Sequence, residues 1–200
     1  MQPIFANPRA SLGVGLAIAA AILVIWIVAA GVDGFGLFSF LMRLVHVLAA
    51  MVWVGLIVFV NFVQLVALQS TDEQGREFLH QAIVPRVAWW FRHASSLTIA
   101  SGAILLVATG YLLPNLVYGA GVYVPPSRAW LIGSGVLGGL AMLMFVHMYI
   151  WPSMQVVLGL RAGDADAKAR ARARVATFAR LNLILAVPVT LAMVAAAHLY

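Results

Sequence analysis

Four imidazoles fall where water is scarce. His46, His93, His147 and His198 lie within or at the edge of long apolar stretches of the 200-residue chain. Neutral imidazole ligates haem iron and many other metals through the ring nitrogen that lacks a proton. Ionisable groups in such stretches are costly, so each is a functional candidate by default. Two guanidiniums accompany them: Arg43 sits one helical turn before His46, and Arg92 adjoins His93. A guanidinium near an axial histidine suits a haem propionate, because its fork matches a carboxylate bidentately. The candidate cofactor-binding set is therefore His46, His93, His147, His198, Arg43 and Arg92. The four histidines are the candidate metal ligands, and one or two haem b groups are the expected cofactor. Two plainer readings stand beside this. A membrane histidine can simply hydrogen-bond a neighbouring backbone, and Arg92 can snorkel to the interface. His80 lies in a polar stretch and reads as surface.

Other chemistry is thin. The chain has no cysteine, which excludes disulfides, thiolate metal sites and covalent c-type haem. Asp33, Asp72, Glu73, Glu77, Asp164 and Asp166 all lie outside the apolar stretches, so no buried carboxylate relay is expected. No phosphate-binding glycine loop and no nucleophile motif occurs. The eight methionines are scattered, which weakly supports copper handling.

The elements that must position these residues are membrane helices. Hydrophobic residues make up 64% of the chain and charged residues 9%, and the mean hydropathy is +1.02. Uncharged runs of about 20 residues are long enough to cross a bilayer, and continuous rather than alternating apolarity selects helices over a barrel. The expected fold is all-α, one polytopic domain with five spans at about 11–32, 37–66, 88–113, 129–157 and 176–200. A cleaved signal peptide is the rival reading of the first span, but its apolar core is long for one. Asp33-Gly34-Phe35-Gly36 reads as a tight turn. Residues 69–87 read as a short surface helix ended by Pro85, and 114–127 as a loop. Pro152 is expected to kink the fourth span, with an amphipathic tail to Leu160. Residues 161–175 read as a charged run before the fifth span.

Charge orients these spans. Arg9, Arg76, Arg86, Arg161, Lys168, Arg170, Arg172 and Arg174 fall on one side, and Arg128 alone on the other. Excess Lys and Arg mark the cytoplasmic side, which puts the N-terminus inside and Tyr200 outside. The net charge of +6 is then explained by lipid headgroups and topology rather than by nucleic acid. At about 1.5 Å per residue, His93 and His147 fall at similar depth toward the cytoplasmic side. They are expected to face each other across one cofactor, with Phe91, Phe145 and Tyr149 against the porphyrin. His46 lies toward the outer side, with Ala50, Trp53 and Val60 on or near its face. His198 lies further out. Gly55 is expected to admit a close approach to the helix backbone. The glycines of residues 133–140 are expected to permit close helix or cofactor packing.

Two regions resemble the membrane domain at the N-terminus of bacterial cytochrome-c-linked urate oxidases. The first is R-x-x-H-V-x-A-x-x-x-W-V-G from Arg43 to Gly55, followed by Phe59. The second is an apolar span ending in Pro152 and Gln155, a Gly-Asp segment, an Arg-rich segment, and then Asn182, Pro188-Val189, Met193 and His198. The resemblance covers about half the chain and carries a functional role to Arg43, His46 and His198. It implies an oxidoreductase in the bacterial inner membrane with an outward C-terminus. It departs from the family in an extra first helix, in a His198 about one residue out of register, and in having no cytochrome c among these residues. His93 and His147 have no clear counterpart.

The leading expectation is a membrane-embedded b-type haem protein. It would pass electrons between a quinone-like or organic donor and an external carrier such as cytochrome c. Expected partners are the lipid bilayer, a quinone, a soluble or membrane cytochrome c and a second copy of the chain. One alternative is a membrane oxidoreductase of the urate-oxidase or protoporphyrinogen-oxidase type. The other is a non-redox small transporter, or an assembly or copper-handling subunit.

Overall fold

The structure is a computed structural model that describes residues 6–113 and 124–199. Among the described residues it is built of helices without strands: α1 (Pro8–Ala30), α2 (Gly34–Ser70), α3 (Glu73–Ala82), α4 (Val84–Ala108), α5 (Pro126–Val157) and α6 (Ala165–His198). Five of them are long and apolar enough to cross a membrane. The all-α, five-span expectation therefore holds. The chain divides into two units, Met1–Leu41 and Met42–Tyr200.

The first unit contains α1 and the opening of α2. Asn7 caps α1, its side chain accepting from the Arg9 N–H, and Pro8 stands in the first turn where a missing N–H costs nothing. Gly31 ends the helix at φ 61°, a left-handed conformation suited to glycine. The turn therefore falls at Gly31–Asp33, earlier than the sequence suggests. Gly34 and Gly36 already belong to α2, and Asp33 Oδ1 accepts from the Gly36 N–H.

The second unit is an antiparallel bundle of α2, α4, α5 and α6, with α3 at one end. Its interior inverts the pattern of a soluble bundle. Large aliphatic residues such as Leu137, Ile184 and Leu191 are exposed, as a lipid-facing surface requires. Small residues face inward: Ala171, Ala179, Ala186, Ala192 and Ala196 on α6, and Ser95, Thr98 and Ser101 on α4. Small side chains let backbones approach, and dispersion then holds helices together in lipid. The α5 glycines pack as expected. A Cβ on Gly135 would meet Met193 of α6, one on Gly138 would meet Val189, and one on Gly139 would meet Ile99 of α4. At Gly138 the gap to Val189 Cγ2 would be 2.4 Å, and a β-branched side chain has little freedom to yield. Gly138→Ala should therefore destabilise the bundle by about 1–3 kcal/mol, read from thermal unfolding in detergent. Gly55 behaves differently. Nothing lies within 4 Å of a Cβ built there, and it is exposed.

Several boundaries move for identifiable reasons. Pro85 opens α4 in its first turn rather than ending α3. The charged run to Val175 forms the first turns of α6. Asp164 caps it by accepting from Ala167 N–H at 2.7 Å, and Ala and Arg are strong helix formers. Pro152 follows a π-helical turn, Phe145–Ile150, and α5 ends at Val157 before Gly159 at φ 73°. Most of the 114–127 loop lies outside the described residues.

His80 is also not simple surface. It is half-buried in α3, and its Nδ1 finds no partner among the described residues. Burial and the nearby Arg172 of α6 push its pKa below the ordinary 6.5. The fold thus disfavours the imidazolium. The stability contributed by neutral His80 is complete above the unfolded value and is lost as pH falls through the lowered folded value. Corrected for the intrinsic slowing of exchange at lower pH, protection of the α3 amides should fall as pH drops below the ordinary histidine value, and His80→Leu should abolish that fall.

Candidate functional site

His46 sits midway down α2 on a face shared with Ala49, Trp53 and Val60, all buried. Its Nδ1 is 2.8 Å from the backbone oxygen of Thr98 and 3.4 Å from Ser101 Oγ, both on α4. A carbonyl can only accept, so Nδ1 carries the proton and Nε2 keeps the lone pair. Gly102 makes room for the ring. A Cβ there would lie 2.9 Å from His46 Cε1. Arg43, one turn away, is exposed and bonds no group among the described residues.

The same ring chemistry recurs at the other three histidines. His93 Nδ1 lies 2.7 Å from Trp89 O, His147 Nδ1 3.2 Å from Leu143 O, and His198 Nδ1 3.0 Å from Val194 O. At His46, His93 and His198 a backbone acceptor fixes the proton on Nδ1 and leaves Nε2 as donor to a metal, the usual preparation of a histidine ligand. Two of the four rings are otherwise engaged. His93 is exposed and stacks on Trp89, centroids 4.2 Å apart. His147 places Nε2 3.1 Å from Ser96 Oγ of α4, whose hydroxyl donates to Arg92 O at 3.0 Å, so both ring nitrogens of His147 have partners.

Ser96 lies three residues beyond His93, so His147 stands about one turn from it along the bundle, at 1.5 Å per residue. The similar depth read from the sequence agrees with this. No hydrogen bond or ring contact joins the two imidazoles among the described residues. Phe145 and Tyr149 pack instead on Phe178 of α6, with Tyr149 and Phe178 stacked at 4.1 Å. His46 and His198 are likewise not joined. No group of three or more His, Asp or Glu able to hold a metal occurs among the described residues.

Arg92 meets a neighbouring helix. Its guanidinium lies 4.4 Å from the ring centre of Trp151 on α5, a cation–π contact across the bundle. Both border a cavity of about 40 Å³ with Phe91, Val60, Gln64 and Ile150. Two π-helical turns, Val60–Gln64 and Phe145–Ile150, converge there. Such turns widen a helix and concentrate at functional sites. Among the described residues Gln64 Oε1 is buried without a partner, as are Trp53 Nε1 and both amide atoms of the fully buried Asn182. Asn61, by contrast, is satisfied, donating to Ile57 O and to Ala179 O of α6. Asn182 belongs to the sequence resemblance. Gln64 and the π-turns left no sequence signal, since a glutamine near a helix end usually reads as an interfacial residue.

The chain matches no family model, no curated protein and no solved structure. The resemblance to the urate-oxidase membrane domain thus rests on its motif residues alone. Fit to a haem divides in two. The donors suit it: Nε2 is the free nitrogen at His46, with Arg43 on the same face. The packed interior does not, because about 40 Å³ is far below the roughly 300–1,000 Å³ of cofactor-sized sites.

Proposed function

We propose that the protein is a small b-type haem protein of the bacterial inner membrane. It passes electrons between a quinone-like or organic donor and an external carrier such as cytochrome c. One observation supports this most: His46, His93 and His198 each anchor Nδ1 on a backbone carbonyl and so leave Nε2 as a metal donor. His46 is the principal ligand, and Arg43 would meet a propionate. His93, His147 and His198 supply further ligands, and Arg92 stands at the inner end. Bound haem would supply one-electron chemistry. Ligation on both faces would restrict it to electron transfer, and an open face would admit an enzyme reaction. Reduction of the purified protein by a short-chain quinol, followed by reoxidation with soluble cytochrome c, tests the reading. A haem that neither partner reduces or oxidises contradicts it.

A second reading is a haem-free helical protein in which these histidines serve packing. The ring of His46 seated on Gly102 and the small interior cavity favour it. Orientation is common to both. Eight basic residues against one support a cytoplasmic N-terminus. A C-terminal reporter active only in the cytoplasm should be silent, and a strong signal would invert the topology.

A further inference from the structure

Helix α6 is 34 residues long, about 51 Å at 1.5 Å per residue, which exceeds the roughly 30 Å hydrocarbon core. Its uncharged part begins after Arg180. Arg180 therefore marks the hydrocarbon edge, and Arg174 stands about 9 Å further along the axis, at headgroup level. Arg174, Thr177, Leu181, Ile184, Pro188 and Leu191 recur every three or four residues, and all are exposed. They form one outward stripe, basic at its head and apolar below, with Arg180 at its flank. Among the described residues no carboxylate pairs with Arg174 or Arg180. Asp166 is the acidic residue on the same stripe, two turns before Arg174 and further from the bilayer. Lys168 and Arg172 point away from the stripe, and Arg172 lies near His80 of α3.

We propose that this stripe binds an anionic phospholipid, with Arg174 and Arg180 on the phosphate and an acyl chain along Leu181, Ile184 and Leu191. Guanidinium matches phosphate geometry bidentately. The apolar continuation selects a lipid over a free phosphate, and charge complementarity selects an anionic one. The inference is independent of any haem.

Native mass spectrometry of the full chain, with phosphatidylglycerol titrated against phosphatidylcholine, provides the test. Wild type should retain phosphatidylglycerol preferentially. Each arginine near the surface contributes roughly five-fold to affinity, so Arg174→Gln with Arg180→Gln should weaken retention roughly 25-fold. The charge-matched pair Lys168→Gln with Arg172→Gln should leave it within about two-fold, and helical circular dichroism should match in all three. Equal losses from both pairs would reduce the effect to bulk charge and overturn the site. So would an absence of preference between the lipids. Release of the lipid by millimolar inorganic phosphate would also overturn it, by showing a phosphate site rather than a lipid site.

Discussion

On the proposed function, His46→Ala is expected to remove or shift the absorbance of a bound haem while leaving a folded, membrane-inserted bundle. That expectation follows from the two ends of one ring. Nε2 is the donor that a haem iron would lose, and no other group on that face of α2 can replace it. Nδ1 donates to Thr98 O at 2.8 Å, with Ser101 Oγ further off at 3.4 Å, and a hydrogen bond of this kind is worth only about 0.5–1.5 kcal/mol net. Loss of cofactor should therefore greatly exceed loss of stability. Gly102→Ala is the graded companion. Its Cβ would press His46 Cε1 at 2.9 Å, so the ring must tilt, and the spectrum should shift rather than vanish. A His46→Ala protein with an unchanged spectrum and midpoint potential would make His46 a packing residue.

Asn182→Leu is expected to stabilise the protein by about 1–3 kcal/mol, the usual cost of a buried polar group left unpaired. Asn182 is fully buried in the middle of α6, and neither its oxygen nor its nitrogen has a partner among the described residues. Leucine has the same number of side-chain heavy atoms and no polar group, so the swap removes a penalty without opening a cavity. Such a residue persists where function needs it, at the expense of stability. The variant should therefore gain melting temperature and lose electron transfer. A melting temperature that falls would show that Asn182 is already satisfied, by bound water for example.

The spans were legible because lipid imposes length and apolarity, both plain in the chain. The site was legible in residue type more than in arrangement. The sequence places Trp53 and Val60 near the face of His46, and both are buried, but Ser101 and Gly102 of α4, which meet the ring, carry no signal of their own in the chain. The face-to-face pairing of His93 and His147 has no counterpart in a ring contact. Depth can be counted along a helix, but rotation about its axis is set by neighbours. Here Trp89 captures one ring and Ser96 the other. Arg92 likewise met Trp151, a partner on another helix that spacing alone cannot name. The start of α6 was hidden because charge resembles a loop in a membrane chain, although Asp164 is a readable cap. The π-turns leave no periodicity of their own.

The reduced-minus-oxidised visible spectrum of the purified full chain, expressed with ample haem supply, tests the central claim most directly. The account predicts the Soret and α bands of a b-type haem, with at least one non-covalent haem extracted per chain. A folded, monodisperse protein with no haem absorbance would contradict it and leave the four histidines as packing residues.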